Sequence, residues 1–211
     1  MNFSWYLENN INIDDCVGID EVGRGPLAGP VVAAAVWVNG EFVDELRKSA
    51  IIVRDSKKMT PKQRAATINW LKKFQSPELI RYAIEGATVE EIDNLNILNA
   101  ALLAMKRAFD SLGFHKKYSL VDGNRAPVLK NTEIRTIING DEKVISISLA
   151  SIIAKEYRDC LMRKLALEYP NYGWDTNVGY GSKAHIQAIL KYGITPHHRK
   201  TFAPIKKRSL A

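Results

Sequence analysis

Four carboxylates have the residue types and the placement for metal-assisted chemistry. Asp20 and Glu21 end one apolar segment, Asp122 ends another, and Asp141 lies just beyond a further one, Ile134 to Ile138. Carboxylates gathered at one sheet edge repel one another, by about 4 kcal/mol per pair at about 4 Å and an effective dielectric near 20. Cations between them remove that cost. Two divalent ions balance four carboxylates, and hard oxygen ligands suit Mg²⁺ or Mn²⁺. Two such ions roughly 3.5 to 4 Å apart can activate water and stabilise the leaving oxygen of a phosphodiester. Acidic residues at strand ends are also common, and charge patterning alone favours the plainer reading of solvated loop carboxylates.

Such a site needs strands that end together. Cys16 to Asp20 reads as a short strand, followed by the turn Gly23-Arg24-Gly25-Pro26. Adjacent strand residues face opposite sides, so Asp20 and Glu21 share a site only if the chain bends at Glu21. Val31 to Val38 is apolar on both faces and suits a strand inside a sheet. Thr60-Pro61-Lys62-Gln63 is a capping-box sequence and predicts a helix to about Phe74; Ile80 to Gly86 reads as another strand. Thr88-Val89-Glu90-Glu91 repeats the capping signature. The spacing of Leu95, Leu98, Leu102, Met105, Phe109 and Leu112 predicts one long amphipathic helix ending at Gly113. Tyr118 to Asp122 and Ile134 to Ile138 read as strands, and Ser148 to Glu168 as a second long helix stopped by Pro170. A last helix starts at a Ser182 cap and ends at Gly193, and Lys206-Lys207-Arg208 is read as a frayed tail.

Strands alternating with helices indicate an α/β sheet sandwich. The 211 residues, 46% hydrophobic, suffice for one core, so a single domain over 1–211 is expected, with a helical appendage from about residue 170. A formal charge of +7 suggests a polyanionic partner without naming it. Cys16 and Cys160 form no metal or disulfide pattern and read as small packed apolar residues. The longest apolar run, Val31 to Val38, is far short of a membrane span, and the N-terminus lacks the basic region of a secretory signal. A cytoplasmic address follows, with no membrane partner.

Several ordered words resemble one family. Val17-Gly18-Ile19-Asp20-Glu21-Val22-Gly23-Arg24-Gly25-Pro26-Leu27-Ala28-Gly29-Pro30 closely resembles the opening signature of type 2 ribonucleases H, the ribonuclease HII family. The likeness continues through Asp55-Ser56-Lys57-Lys58, Glu91 to Leu98, Asp122-Gly123-Asn124 and Gly140-Asp141. It runs on through Ala150 to Lys155 and Gly179-Tyr180-Gly181, and closes with His198-Arg199-Lys200-Thr201-Phe202. The resemblance implies a ribonuclease H-like mixed sheet flanked by helices, with a helical C-terminal part. It implies a two-metal (Mg²⁺ or Mn²⁺) endonuclease that cuts the RNA strand of RNA–DNA hybrids and incises 5′ of single ribonucleotides in duplex DNA. Asp20, Glu21, Asp122 and Asp141 match the family's acidic positions, as catalytic and metal-holding residues.

By the same resemblance, Gly23, Arg24 and Gly25 let the backbone approach a ribose, and Tyr180 stacks on the sugar at the RNA–DNA junction. A 2′-hydroxyl is what separates RNA from DNA. Glycines at a bend and an aromatic between two glycines also have purely structural readings. Lys57 and Lys58 match a phosphate-contacting loop, with a solvated basic loop as the alternative. Ser148, Ser151 and Lys155 share one helix face that the family lays along the substrate backbone, and Ser148 is also a candidate helix cap. His115 and His185 read as surface or helix residues. His197 and His198, with Arg199 and Lys200, read as a basic phosphate-facing segment, and no histidine is assigned to catalysis.

Asn139, Leu149 and Ser182 depart from residues common in the family, and none is at an acidic position. The sister type, ribonuclease HIII, carries an extra N-terminal domain that the residues before Val17 cannot form. A catalytically silent hybrid-binding protein on the same fold and another nuclease of the superfamily are the remaining alternatives. The chain is expected to be a monomer, with no protein partner evident in the tail.

Overall fold

The computed structural model describes residues 4–74 and 77–208, with the side chains of 207 and 208 outside the description. Its strands are β1 (Cys16–Val22), β2 (Val31–Val38), β3 (Ile80–Ala87), β4 (Tyr118–Asp122) and β5 (Glu133–Ile137). They form one mixed sheet in the order β3-β2-β1-β4-β5. β1, β2 and β3 pair antiparallel, while β1, β4 and β5 run parallel. The helices are α1 (Ser4–Glu8), α2 (Gly40–Lys48), α3 (Pro61–Leu71), α4 (Val89–Leu95), α5 (Ile97–Ser111), α6 (Gly140–Lys143), α7 (Ile145–Glu168), α8 (Trp174–Asn177), α9 (Lys183–Tyr192) and α10 (Ile205–Arg208). None of them is long and apolar enough to cross a membrane.

Every residue of β2 is buried because both sheet faces are covered. Val32, Ala34, Val36 and Val38 pack into the layer that holds α2, α3 and α7. Val31, Ala33, Ala35 and Trp37 pack into the opposite layer against α5. A third cluster, around Trp174, ties α8 and α9 to Met162 of α7 and to Leu27 and Ala28 of the loop after β1.

The approach of α7 to β1 depends on a glycine. A Cβ on Gly18 would stand 2.3 Å from the carbonyl carbon of Ser146 and 2.4 Å from the amide nitrogen of Ile147. Only a residue without a side chain lets the first turn of α7 lie this close to the central strand. Ser146 is fixed there by a 3.2 Å hydrogen bond with the Tyr6 hydroxyl of α1.

Both predicted capping boxes form, with Thr60 and Gln63 starting α3 and Thr88 and Glu91 starting α4. The single long helix expected after Thr88 is instead two. Asn96 sits at φ 68° and its side chain accepts from the Leu98 and Asn99 amides, ending α4 and starting α5. α7 begins three residues before Ser148. Ser148 therefore does not cap it; its hydroxyl donates back to the Asp141 carbonyl at 2.5 Å and the Val144 carbonyl at 3.1 Å. Ser182 does cap α9, and residues 205–208 form a helical turn in place of the expected frayed tail. Cys16 packs in the core, where burial pushes its thiol up to about 12, whereas Cys160 is exposed and not a core residue.

Candidate active site

The parallel registers bring the acidic residues together. The parallel pairing of β1 with β4 ends at Ile19 and Val121, so Asp20 and Asp122 follow it side by side at the same height, toward the carboxyl ends where α/β sheets place their ligands. β5 ends level with Asp122, and the chain turns from it into α6. There the Gly140 amide donates to Asp122 Oδ1 at 2.7 Å and delivers Asp141 beside the same edge. A Cβ at Gly140 would come within 2.7 Å of Ile147 Cδ1, so a larger residue would need that side-chain end to move aside.

β1 does not bend at Glu21, as the alternation argument expects. It stays paired with β2 through Val22, and the turn comes at Gly23, whose φ is +94°. Asp20 and Glu21 nevertheless border one cleft of ≈ 410 Å³, which α7 residues Ser151, Lys155 and Asp159 line from above the strand. Ser56, Lys57 and Tyr180 line it as well. Lys58, Asp141 and Ser148 line a neighbouring cleft of ≈ 470 Å³. Asp122, Gly23, Arg24 and Gly25 line neither cleft.

Electrostatics record the crowding. Burial raises the Asp20 carboxyl well above its usual range, and the charges of Glu21 and Asp122 raise it further. Hydrogen bonding from Ser151 and from the Glu21 amide, the latter at 2.7 Å, opposes that rise. Burial also raises Glu21, opposed by Arg24, whose Nη1 lies 3.3 Å from Glu21 Oε1, and reinforced by Asp122. Asp141 is raised by burial and then by Asp122 and Asp55. Burial pulls the Lys57 ammonium down, but Asp20, Asp141, Asp55 and Asp122 together outweigh it and hold the group above the usual lysine range.

Among the described residues no three carboxylate, imidazole or thiol side chains converge into a ready-made ion cage. The four carboxylates crowd electrostatically without closing on one point. Their donor chemistry fits hard divalent cations: all are oxygen ligands, and the raised carboxyls belong to groups that a positive charge would favour in ionised form.

The remaining predicted residues differ in how free they are. Lys57 and Tyr180 are exposed, and Tyr180 Cε1 lies 3.5 Å from where a Cβ of Gly25 would be. Lys58 pairs with Glu142. Lys155 donates to Asp159 at 2.7 Å, and Ser151 shares a 2.8 Å bond with Ser56. Asp159 also holds Arg64 at 3.0 Å, and Arg64 in turn donates to the Met59 carbonyl at 2.8 Å, which anchors the Ser56–Met59 loop.

Sequence reasoning misplaces the C-terminal basic segment. His198 and Arg199 are fully buried and do not face solvent phosphate; Lys200 of that segment is exposed. His185 is buried too, and not a surface residue. The Thr195 amide donates to His198 Nδ1 at 2.9 Å and Trp174 Nε1 donates to His185 Nε2 at 3.0 Å. These fixed donors set the tautomers: His198 Nε2–H donates to His185 Nε2 at 3.1 Å, and His185 Nδ1–H to the Tyr180 carbonyl at 2.9 Å. Burial lowers both imidazoles, His198 to about 4, and through His185 the pair holds the backbone at Tyr180.

Residues 17–205 match the family model described as Ribonuclease HII. A curated relative from Pelagibacter ubique (strain HTCC1062), named Ribonuclease HII, is 49% identical over 188 residues, covering 89% of this chain and 95% of the relative. The crystal structure of ribonuclease H2 from Pyrococcus horikoshii OT3 superposes with a TM-score of 0.74 at 28% identity, covering 91% of this chain and 95% of that one. A structure of Bst-RNase HIII in complex with Mn²⁺ shares the fold, with a TM-score of 0.70 at 16% identity, covering 96% of this chain and 71% of that one. The mixed sheet, the acidic strand ends and a family match spanning nearly all of the chain agree: the chain belongs to the ribonuclease HII family.

Proposed function

We propose that this chain is a cytoplasmic, monomeric endonuclease that hydrolyses the RNA strand of RNA–DNA hybrids and incises 5′ of single ribonucleotides in duplex DNA. Membership of the ribonuclease HII family supports hybrid cleavage. The observation that supports the site assignment is the level placement of Asp20 and Asp122 on adjacent parallel strands, just past their last paired residues, with Asp141 turned back to the same edge through Gly140.

Asp20, Glu21, Asp122 and Asp141 would hold the divalent ions, Mg²⁺ or Mn²⁺, two per site; the Mn²⁺ complex of the ribonuclease HIII relative is in keeping with this. Bound there, such ions supply Lewis-acid stabilisation of charge on the phosphodiester and activation of water, which leaves 5′-phosphate and 3′-hydroxyl ends. Lys57, exposed and facing the carboxylates, is placed to meet a phosphate oxygen. Lys58 borders the adjoining groove, where it can exchange its Glu142 partner for a phosphate. Ser151 and Lys155 line the first cleft from α7, and Ser148 supports the second by tying Asp141 to that helix. Arg24, Gly25 and Tyr180 form the wall that reads the sugar, an exposed aromatic ring beside exposed loop backbone, with Gly23 buried behind it against Arg158 and making the turn.

An end-labelled continuous hybrid incubated with protein tests the reading. Cutting of the RNA strand is expected with Mg²⁺ or Mn²⁺ and none with EDTA. Tight binding of the hybrid with no cutting at either metal would assign the chain to the silent hybrid-binding alternative.

A further inference from the structure

Two fully buried arginines are bonded to nothing but backbone carbonyls. Arg158 donates from Nε to the Pro30 carbonyl, from Nη1 to Val178 and from Nη2 to Ala28, each at 2.9 Å. Arg199 donates from Nε to the Gly29 carbonyl at 3.0 Å and from Nη1 to Arg24 at 3.0 Å. Its Nη2 serves Gly23 at 2.6 Å and Gly29 at 2.8 Å. Neither forms an ion pair with a carboxylate among the described residues. Burying an unpaired cation is costly, and that cost is offset by these carbonyl dipoles and, for Arg199, by the Phe202 ring face 5.0 Å from its guanidinium carbon. An apolar side chain would fill the space without it, so the donor fork is the feature that needs a reason.

The reason lies in the peptide units it grips. Across a trans peptide the carbonyl of one residue and the N–H of the next point in opposite directions. With the Gly23 and Arg24 carbonyls drawn inward to Arg199, the N–H groups of Arg24 and Gly25 must point outward. Both residues are exposed, and neither amide donates to any group among the described residues. Tyr180 stands beside Gly25 and lines the cleft that holds Asp20 and Glu21.

We propose that Arg199 is a positioning residue for sugar discrimination: by fixing two consecutive carbonyls inward, it presents the Arg24 and Gly25 amides as an ordered donor pair for the ribose hydroxyl oxygen. Arg158 secures the far limb of the same loop and the Val178 carbonyl just before Tyr180. The inference rests on the assignment of Gly23, Arg24, Gly25 and Tyr180 to sugar reading. It adds a buried residue, bonded directly behind the sugar-reading backbone, on which that reading depends. A lone ribonucleotide offers a single 2′-hydroxyl, so a loosened reader loses its one cue. A continuous hybrid offers a hydroxyl at every sugar of one strand and keeps its helical shape as a second cue.

The test is Arg199→Lys, which keeps the charge but replaces a rigid fork by a point donor. Both kcat and KM are measured on a duplex with one embedded ribonucleotide and on a continuous hybrid. Incision at the single ribonucleotide should fall by ~30-fold or more, mainly in kcat, and hybrid cleavage by ~5-fold or less, as expected for sub-ångström loss of positioning. Equal losses on both substrates, or no loss on either, would overturn the proposal. If the wild-type protein cuts neither substrate, the functional reading fails first. A second measurement needs no variant. Hydrogen exchange at the Arg24 and Gly25 amides should be fast in the free protein and slowed by ribonucleotide-containing duplex but not by all-DNA duplex. Slow exchange in the free protein would show that these amides are not presented outward.

Discussion

Asp122→Asn is expected to lower hybrid cleavage by ~10³-fold or more, the scale of losing electrostatic stabilisation at a reacting phosphoryl group. Affinity for the hybrid should change by less than about 3-fold, because phosphate binding rests on basic groups such as Lys57 and not on this carboxylate. The substitution is close to isosteric. The oxygen of the introduced carboxamide can still accept from the Gly140 amide, the 2.7 Å bond that seats α6 against β4. The negative charge is what disappears, and with it a hard ligand and a source of repulsion on Asp20, Glu21 and Asp141. The thermal midpoint should therefore hold or rise. Single-turnover cleavage with a parallel binding titration checks this, and full activity in the variant would remove Asp122 from the site.

Gly18→Ala is expected to cost about 3 kcal/mol or more of stability, at or beyond the upper end for overpacking in a core. The new methyl would meet the Ser146 carbonyl carbon and the Ile147 amide nitrogen at 2.3 and 2.4 Å, and both are helix backbone that no rotamer change can move aside. α7 must shift as a body or β1 must bow. Either displaces Ser151 from Asp20 and disturbs the Ser148 bond to the Asp141 carbonyl, so cleavage should fall along with stability. Equilibrium denaturation measures the first effect. A loss under about 0.5 kcal/mol, within the range of an ordinary surface change, would contradict the close approach of helix and strand.

What the sequence made legible was governed by local rules. The Val31–Val38 run lies inside the sheet with its bounds as read, since an all-apolar segment, β-branched at both ends, has no solvent face to offer. Asp20 and Asp122 ended their segments in the sequence, and parallel pairing places such ends side by side. Capping residues announced α3, α4 and α9. The break at Asn96 was hidden because the leucine spacing continues across it; a left-handed asparagine changes the backbone without interrupting hydrophobic periodicity. The start of α7 was hidden for the opposite reason, since a serine normally marks a cap and Ser148 instead bonds backward from inside the helix. Arg158, Arg199, His185 and His198 were invisible as internal residues. Composition assigns such side chains to the surface, and only the tertiary arrangement supplies the carbonyls and ring nitrogens that satisfy them.

The central claim is that acidic strand ends and a sugar-reading loop act together at one edge of the sheet. An end-labelled DNA duplex with one embedded ribonucleotide, incubated with protein and Mg²⁺ or Mn²⁺ beside an all-DNA duplex and an EDTA control, tests it most directly. Incision on the 5′ side of the ribonucleotide, absent from both controls, is the predicted result. Cutting of the all-DNA duplex, or no incision at the ribonucleotide under either metal, would contradict it.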